Sequence, residues 1–298
     1  MSLASTLSEV QVHEVDEQTV RAYEHEGPHY SEAFNLFKEA AAYVCILAST
    51  TVGPSPDWDV RQAVLGGHLV RMFKLMRFVL EESIEKRAEM LAILVRLLAE
   101  CVINLRYLIR NDNPDLIDSF VAYSLQHERD LANRIRENIR ENGGEELPIE
   151  RRMLKSIEKT FLNSGIPESE LPKKKVHNWG DKNLYEKAKD VLLGEAYLAI
   201  FGGPSRNVHG GWHDLLQHHL ECVAPEQFKA NLEFTRPRPQ PIYALTGLIA
   251  ETLSGYTELL GHPKVTPLFA RLSDLHRRNR MASNLHEEYL VRRRDEGR

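Results

Sequence analysis

The sequence predicts an all-α fold, a single helical bundle of about nine helices with no β-sheet. Three observations predict it. Apolar residues recur at three- and four-residue spacing through most of the chain, the period of a helix with one buried face. No strand pair, hairpin signal or fixed-period repeat interrupts that pattern. The chain has 298 residues, 42% apolar and 27% charged, enough to bury a core without staples. Cys45, Cys101 and Cys222 form no CxxC pair, so neither a disulfide scaffold nor a thiolate zinc site is expected. Free cysteines and a start without an apolar signal segment predict a cytoplasmic protein. The most apolar run, Met90 to Ile109, contains Arg96, Glu100, Asn104 and Arg106, so it predicts a buried helix and no membrane partner.

The elements follow in order. Residues 1–30 lack a period and form an acidic, partly ordered lead-in; residues 31–298 form the bundle, with a polar insert near 163–182. From Ser31, the spacing of Phe34, Phe37, Ala41, Val44 and Leu47 predicts a first helix, closed by Thr51-Val-Gly-Pro-Ser-Pro. A second helix fits Trp58 to Glu82 and a third Ile84 to Arg110. Asn111-Asp-Asn-Pro114 ends the third, with Pro114 suited to the first turn of the next. That fourth helix runs to Asn142 and stops at Gly143-Gly144; its second half is charged almost all round and so projects into solvent. Further helices fit Pro148 to Leu162, Leu184 to Phe201 (broken by Gly202-Gly203-Pro204), Trp212 to Cys222, Ile242 to Leu260 and Thr266 to Arg293. Phe234 to Pro241 reads as an extended, proline-rich connector.

On the third helix, Arg96, Glu100, Asn104 and Tyr107 fall within roughly 80° of one another, a polar line on an apolar cylinder. Burial of such a line is costly unless its members satisfy one another. It either faces a site or is a buried ion pair that holds helix register.

Four histidines fall between Arg206 and Cys222. His209 and His213 share a face if the helix is continuous, a spacing suited to a metal pair, while His218 and Cys222 share a nearly opposite one. With no third ligand at a set spacing, no metal and no cofactor is expected. Arg206 and His213 are about two helical turns apart. A histidine moves protons near neutral pH and an arginine stabilises charge on a phosphate, so the pair suits metal-independent phosphodiester chemistry. Residues 202–211 equally read as a loop in which Ser205 caps a helix.

The segments Arg96 to Leu108 (RLLAECVINLRYL) and Leu184 to Gly210 (LYEKAK, then EAYLAIFGGPSRNVHG) together resemble a family of uncharacterised, mostly bacterial helical proteins. That family is similar to the HEPN-like superfamily, which includes abortive-infection and toxin ribonucleases. The resemblance covers about residues 31–260. It implies a HEPN-like core, and it matches Arg96, Glu100 and Tyr107 on one helix with Tyr197, Ser205 and His209 on the other. HEPN-like ribonucleases carry an arginine and a histidine with four to six residues between them, a pattern met here by Arg206 and His213. The candidate catalytic residues are therefore Arg206, His213 and His209, with Arg96, Glu100, Asn104, Tyr107, Ser205 and Asn207 positioning the substrate. RNA is the expected partner, and a homodimer is what the resemblance implies. The alternative is a non-catalytic helical module that binds a protein or small ligand.

Charge distribution leaves RNA open. The net charge is −5, but residues 1–32 hold seven acids and one base, so the rest of the chain is close to neutral. Basic residues cluster at Lys173-Lys174-Lys175, ahead of His177 and Trp179, and on the last helix at Arg277, Arg278, Arg280 and Arg292-Arg293-Arg294. These read as solvated segments or as phosphate contacts beside a stacking aromatic. The acidic lead-in is placed to shield such a surface.

Overall fold

A computed structural model describes residues 3–50, 55 and 57–295. The lead-in contains α1 (Leu3–Ser8) and α2 (Glu17–Arg21); the bundle follows with α3 (Glu26–Ser49), α4 (Val60–Ile84), α5 (Ala88–Arg110), α6 (Pro114–Glu141) and α7 (Pro148–Ser164). Then come α8 (Leu184–Asp190), α9 (Gly203–Val208), α10 (Trp212–Asp214), α11 (Pro239–Leu260) and α12 (Thr266–Asp295). The architecture is mainly helical, as the period predicted. The run that closes the first helix lies, apart from Ser55, outside the described residues.

Helices α3, α4, α5, α11 and α12 pack around one core. Leu36, Phe37, Leu69, Met72, Leu98, Ile103, Leu245, Leu253 and Leu272 are inaccessible within it. Boundary signals behave as their chemistry requires. Asp59 and Gln62 close a capping box on α4, Asn113 accepts the Asp115 N–H with Pro114 in the first turn of α6, and Gly165 ends α7 in the left-handed conformation. The lead-in packs on the bundle through Leu7 and Val20, both buried. It is tied down by Arg278 of α12, whose Nη1 donates to the His13 carbonyl at 2.5 Å and to Glu39 at 2.8 Å.

Four expectations need correction. First, a two-stranded antiparallel sheet exists: β1 (Leu220–Ala224) pairs with β2 (Gln227–Ala230), its turn made by Pro225 and a left-handed Glu226. Neither strand has a buried face, so the sequence carries no alternation, and the left-handed position is not a glycine. The expected helix from Trp212 to Cys222 therefore ends at His219, and His218 and Cys222 do not share a helical face. Second, Gly202-Gly203-Pro204 does not break the chain. A π turn, Leu198–Gly202, lets the Gly203 N–H reach the Leu198 carbonyl five residues back and leads directly into α9. The break comes earlier, after Asp190, where Leu192 is left-handed. Third, the charged half of α6 is not alone in solvent. It pairs with α7 through Ala132, Ile135 and Ile157, forming a helical hairpin with its own small core. Fourth, the polar insert is anchored along α6: Arg129 donates to the Pro172 carbonyl, the Val176 N–H to Gln126 and the Gly180 N–H to Ser119. That path buries Trp179, which is therefore no exposed stacking platform.

Candidate functional site

The polar line of α5 is covered by the segment from α8 to α9, so the two motif-bearing stretches of sequence meet in space. The Arg96 guanidinium lies over the Phe201 ring at 4.6 Å. Tyr107 meets Trp179 edge-on at 5.5 Å, and Phe120 closes the other edge of Trp179 at 5.2 Å. The ammonium of Lys187, from α8, sits 3.4 Å above the Trp179 ring and is only 3% exposed. Burial pushes it down from the ordinary lysine value of 10.5 to about 7, against the opposing charges of Glu100 and Glu186. Burial also raises the Tyr197 hydroxyl, with Arg96 and Glu100 close enough to modify the shift in opposite senses. Arg96, Glu100 and Tyr107 thus act on Phe201, Tyr197 and Lys187, fixing the covering segment to α5.

On its other flank, the same line opens into a cavity of about 580 Å³ between α4, α5, α6 and the end of α7. Glu100 and Asn104 line it, together with His68, Arg71, Cys101 and Phe120. The Nδ1 of His68 bonds the Val64 carbonyl at 2.7 Å, and burial lowers its pKa below the ordinary value. The neutral ring therefore carries its proton on Nδ1 and leaves a lone pair on Nε2. Burial likewise pushes the Cys101 thiol up to about 12, so it is not a nucleophile; it donates weakly to the His68 carbonyl. His68, Arg71 and Lys187 were not singled out from the sequence. The signal for the first two was available, a histidine and an arginine three apart on a helical face. Lys187 carried none, because its burial depends on Trp179 arriving from the insert.

The histidine-rich segment is not one helix. Residue His209 caps α9, Gly210 is left-handed, and α10 begins only at Trp212. The expected seven-residue relation between Arg206 and His213, and the four-residue relation between His209 and His213, are therefore not relations on one helix. Ser205 lies inside α9 and Asn207 in its last turn; neither is a cap. The side chain of Arg206 lies outside the described ones. His209 and His213 are both exposed and make no side-chain hydrogen bond or ion pair among the described residues. By contrast His218 is buried, with Nδ1 bonded to Thr235 Oγ1 at 2.7 Å, and Glu89 accepts from the same threonine at 3.0 Å. Among the described residues, no group of three or more His, Cys, Asp or Glu side chains is placed to hold a metal ion. None of their helices is long and apolar enough to cross a membrane.

The basic residues of α12 also differ from expectation. Arg278 is 1% exposed and paired with Glu39, so it is a core cation and not a phosphate contact. Arg292 donates to the Arg21 carbonyl, which joins the basic tail to the lead-in.

Residues 62–227 match the model of a family described as "Family of unknown function (DUF5677)". The chain belongs to this family. No curated protein and no solved structure matches it. The DUF5677 match runs from the first turn of α4 to the start of β2. It includes the polar line of α5, all of the cavity's lining except Val60, and the histidine corner, and it leaves out the lead-in, α11 and α12.

Proposed function

We propose that the protein is a cytoplasmic, RNA-acting defence or stress protein of the HEPN-like kind, a metal-independent ribonuclease working at the corner between α9 and α10. The observation that carries this reading is the pair of exposed, unpartnered histidines, His209 and His213, on either side of the left-handed Gly210. Between them Trp212 is 58% exposed, an aromatic face on which a base can stack. In the proposed reaction a ribose 2′-hydroxyl attacks the adjacent phosphorus and the 5′-oxygen leaves. One histidine takes the proton from the 2′-oxygen and the other returns one to the 5′-oxygen, while Arg206 offsets the phosphorane charge. Arg96, Glu100, Asn104 and Tyr107 are substrate-positioning residues in this reading, with Ser205 and Asn207 in α9; Arg96 on Phe201 and Tyr107 against Lys187 also hold the covering segment on α5. The homodimer part of the reading draws on exposed apolar side chains, Leu198 (72%) in the π turn before α9 and Leu232 (91%) in the connector after β2.

The test is total RNA incubated with full-length protein in EDTA. Wild type is expected to produce fragments ending in 2′,3′-cyclic phosphate. His209→Ala/His213→Ala is expected to be slower by about 100-fold or more. Loss of cleavage in EDTA, or equal cleavage by the double variant, refutes the mechanism. One observation favours the second reading, a non-catalytic binding module: the polar line is largely used in packing, with Arg96 on Phe201 and Tyr107 on Trp179. RNA retention without cleavage by the wild type supports that reading.

A further inference from the structure

The cavity between α4, α5, α6 and the end of α7 is unlike the histidine corner in chemistry, and nothing in the proposed cleavage uses it as a binding site. Its polar groups divide by kind. The Glu100 carboxylate accepts no hydrogen bond and forms no ion pair among the described residues. The Oδ1 of Asn104 is buried without a partner. His68 directs its proton to the Val64 carbonyl, which leaves Nε2 as an acceptor. Against these acceptors stands the charged donor Arg71, one helical turn from His68 and exposed at the rim, with the exposed Asn163 amide also in the lining. Arg71 and Glu100 line the same cavity without forming an ion pair. The walls between them are apolar and aromatic, from Val64, Val121 and Phe120. Of these acceptors only Asn104 Oδ1 is a fully buried atom without a partner, and a buried polar atom left unpaired is uncommon in folded proteins and calls for an explanation.

We propose that this cavity binds a guanine base, with Glu100 on its Watson–Crick edge and Arg71 on its Hoogsteen edge. A carboxylate can take two parallel N–H donors, and guanine is the one common base with two adjacent donors, N1–H and the N2 amino group. Its other edge offers O6 and N7, which match the fork of an arginine. Adenine, cytosine and uracil each place an acceptor against the carboxylate next to their single donor. Simple amines present no acceptor to Arg71 and no flat face to the apolar walls. A volume of about 580 Å³ accommodates a nucleotide, in the range of small-molecule sites. The base can come from a free nucleotide or from a base turned out of single-stranded RNA, and both share this edge chemistry.

The experiment is calorimetric titration of full-length protein with GMP, AMP, CMP and UMP. Single-stranded RNA oligomers with one guanine or none are titrated in parallel. GMP, or the guanine-containing oligomer, is expected to bind about tenfold or more tightly than its counterparts. Binding of both, or of either alone, supports the site and identifies the source of the base. Glu100→Gln replaces one acceptor by a donor and is expected to abolish the guanine preference. Arg71→Ala, at an exposed position that the core does not need, is expected to weaken guanine at least as much. No binding by any guanine ligand, equal binding of all four bases, or an undiminished preference in Arg71→Ala overturns the proposal. The outcome is independent of the cleavage assay, since His209→Ala/His213→Ala is expected to retain the guanine preference.

Discussion

Replacing Lys187 by methionine is expected to stabilise the protein at neutral and mildly acidic pH. The ammonium is 3% exposed and its pKa is pushed from 10.5 to about 7. A displacement of about 3.5 units corresponds to about 5 kcal/mol of destabilisation while the unfolded lysine is charged. The Trp179 face at 3.4 Å works in the opposite sense. A desolvated cation–π contact is worth about 2 kcal/mol, which leaves a net cost of about 3 kcal/mol. The sign follows from proton binding. Between pH 7 and 10.5 the unfolded chain holds the Lys187 proton more tightly than the folded chain, so the cost is full below 7 and disappears above 10.5. Methionine keeps a similar length and apolar stem. Urea unfolding followed by far-ultraviolet circular dichroism at pH 6, 8 and 10 compares the two proteins under identical conditions. The variant is expected to gain about 3 kcal/mol at pH 6, falling below about 1 kcal/mol at pH 10. A variant destabilised at pH 6, or a difference that does not vary with pH, would show that Lys187 is not a desolvated base.

Arg278→Met leaves Glu39 buried without its cation and is expected to cost about 3–5 kcal/mol in the same urea assay. Glu39→Leu/Arg278→Met removes both charges and is expected to recover most of that loss; a double variant no better than the single one counts against the pair. His29 is inaccessible, and burial, with His286 beside it, lowers its pKa from 6.5 to about 4. Stability from the neutral ring is therefore complete above 6.5 and declines as the pH falls towards 4, by about 3 kcal/mol. His29→Phe is expected to flatten that decline in thermal melts at pH 4 to 7, and an unchanged slope refutes the assignment. Gly180 has φ +62°, and a β-carbon there would lie 2.6 Å from Leu116 Cδ1. Gly180→Ala is expected to cost about 2 kcal/mol and to shift Trp179 fluorescence, read together in a melt monitored by tryptophan emission.

Much of the bundle was legible because periodicity is local. The spacing of Leu69, Met72 and Met76 on α4, or of Leu98, Val102 and Leu105 on α5, states which face is buried before any partner is known. Pro114 in the first turn of α6 was readable for the same reason, whereas the Asp59 cap was not read, because the second helix was expected from Trp58. Breaks without glycine were not. Leu192 and Glu226 adopt left-handed conformations without being glycine, and so the end of α8 and the hairpin turn were misplaced or missed. The polar line of α5 was visible from the sequence alone, but its use was not.

From the sequence by itself came the helical class, the apolar faces, the polar line Arg96–Glu100–Asn104–Tyr107 and the stretch of histidines. Each of these depends on residues within a few turns of one another. Only the tertiary structure decided that the insert carries Trp179 beneath Lys187, that Arg278 is a core cation, and that Glu100 and Asn104 face His68 and Arg71 across a cavity. It also decided that His209 and His213 stand on separate helices. The physical reason is the range of the forces involved. Helix period and capping are set by near neighbours along the chain. Desolvation, ion pairing and cavity shape are set by groups distant in sequence, and a single sequence does not record which of those will meet.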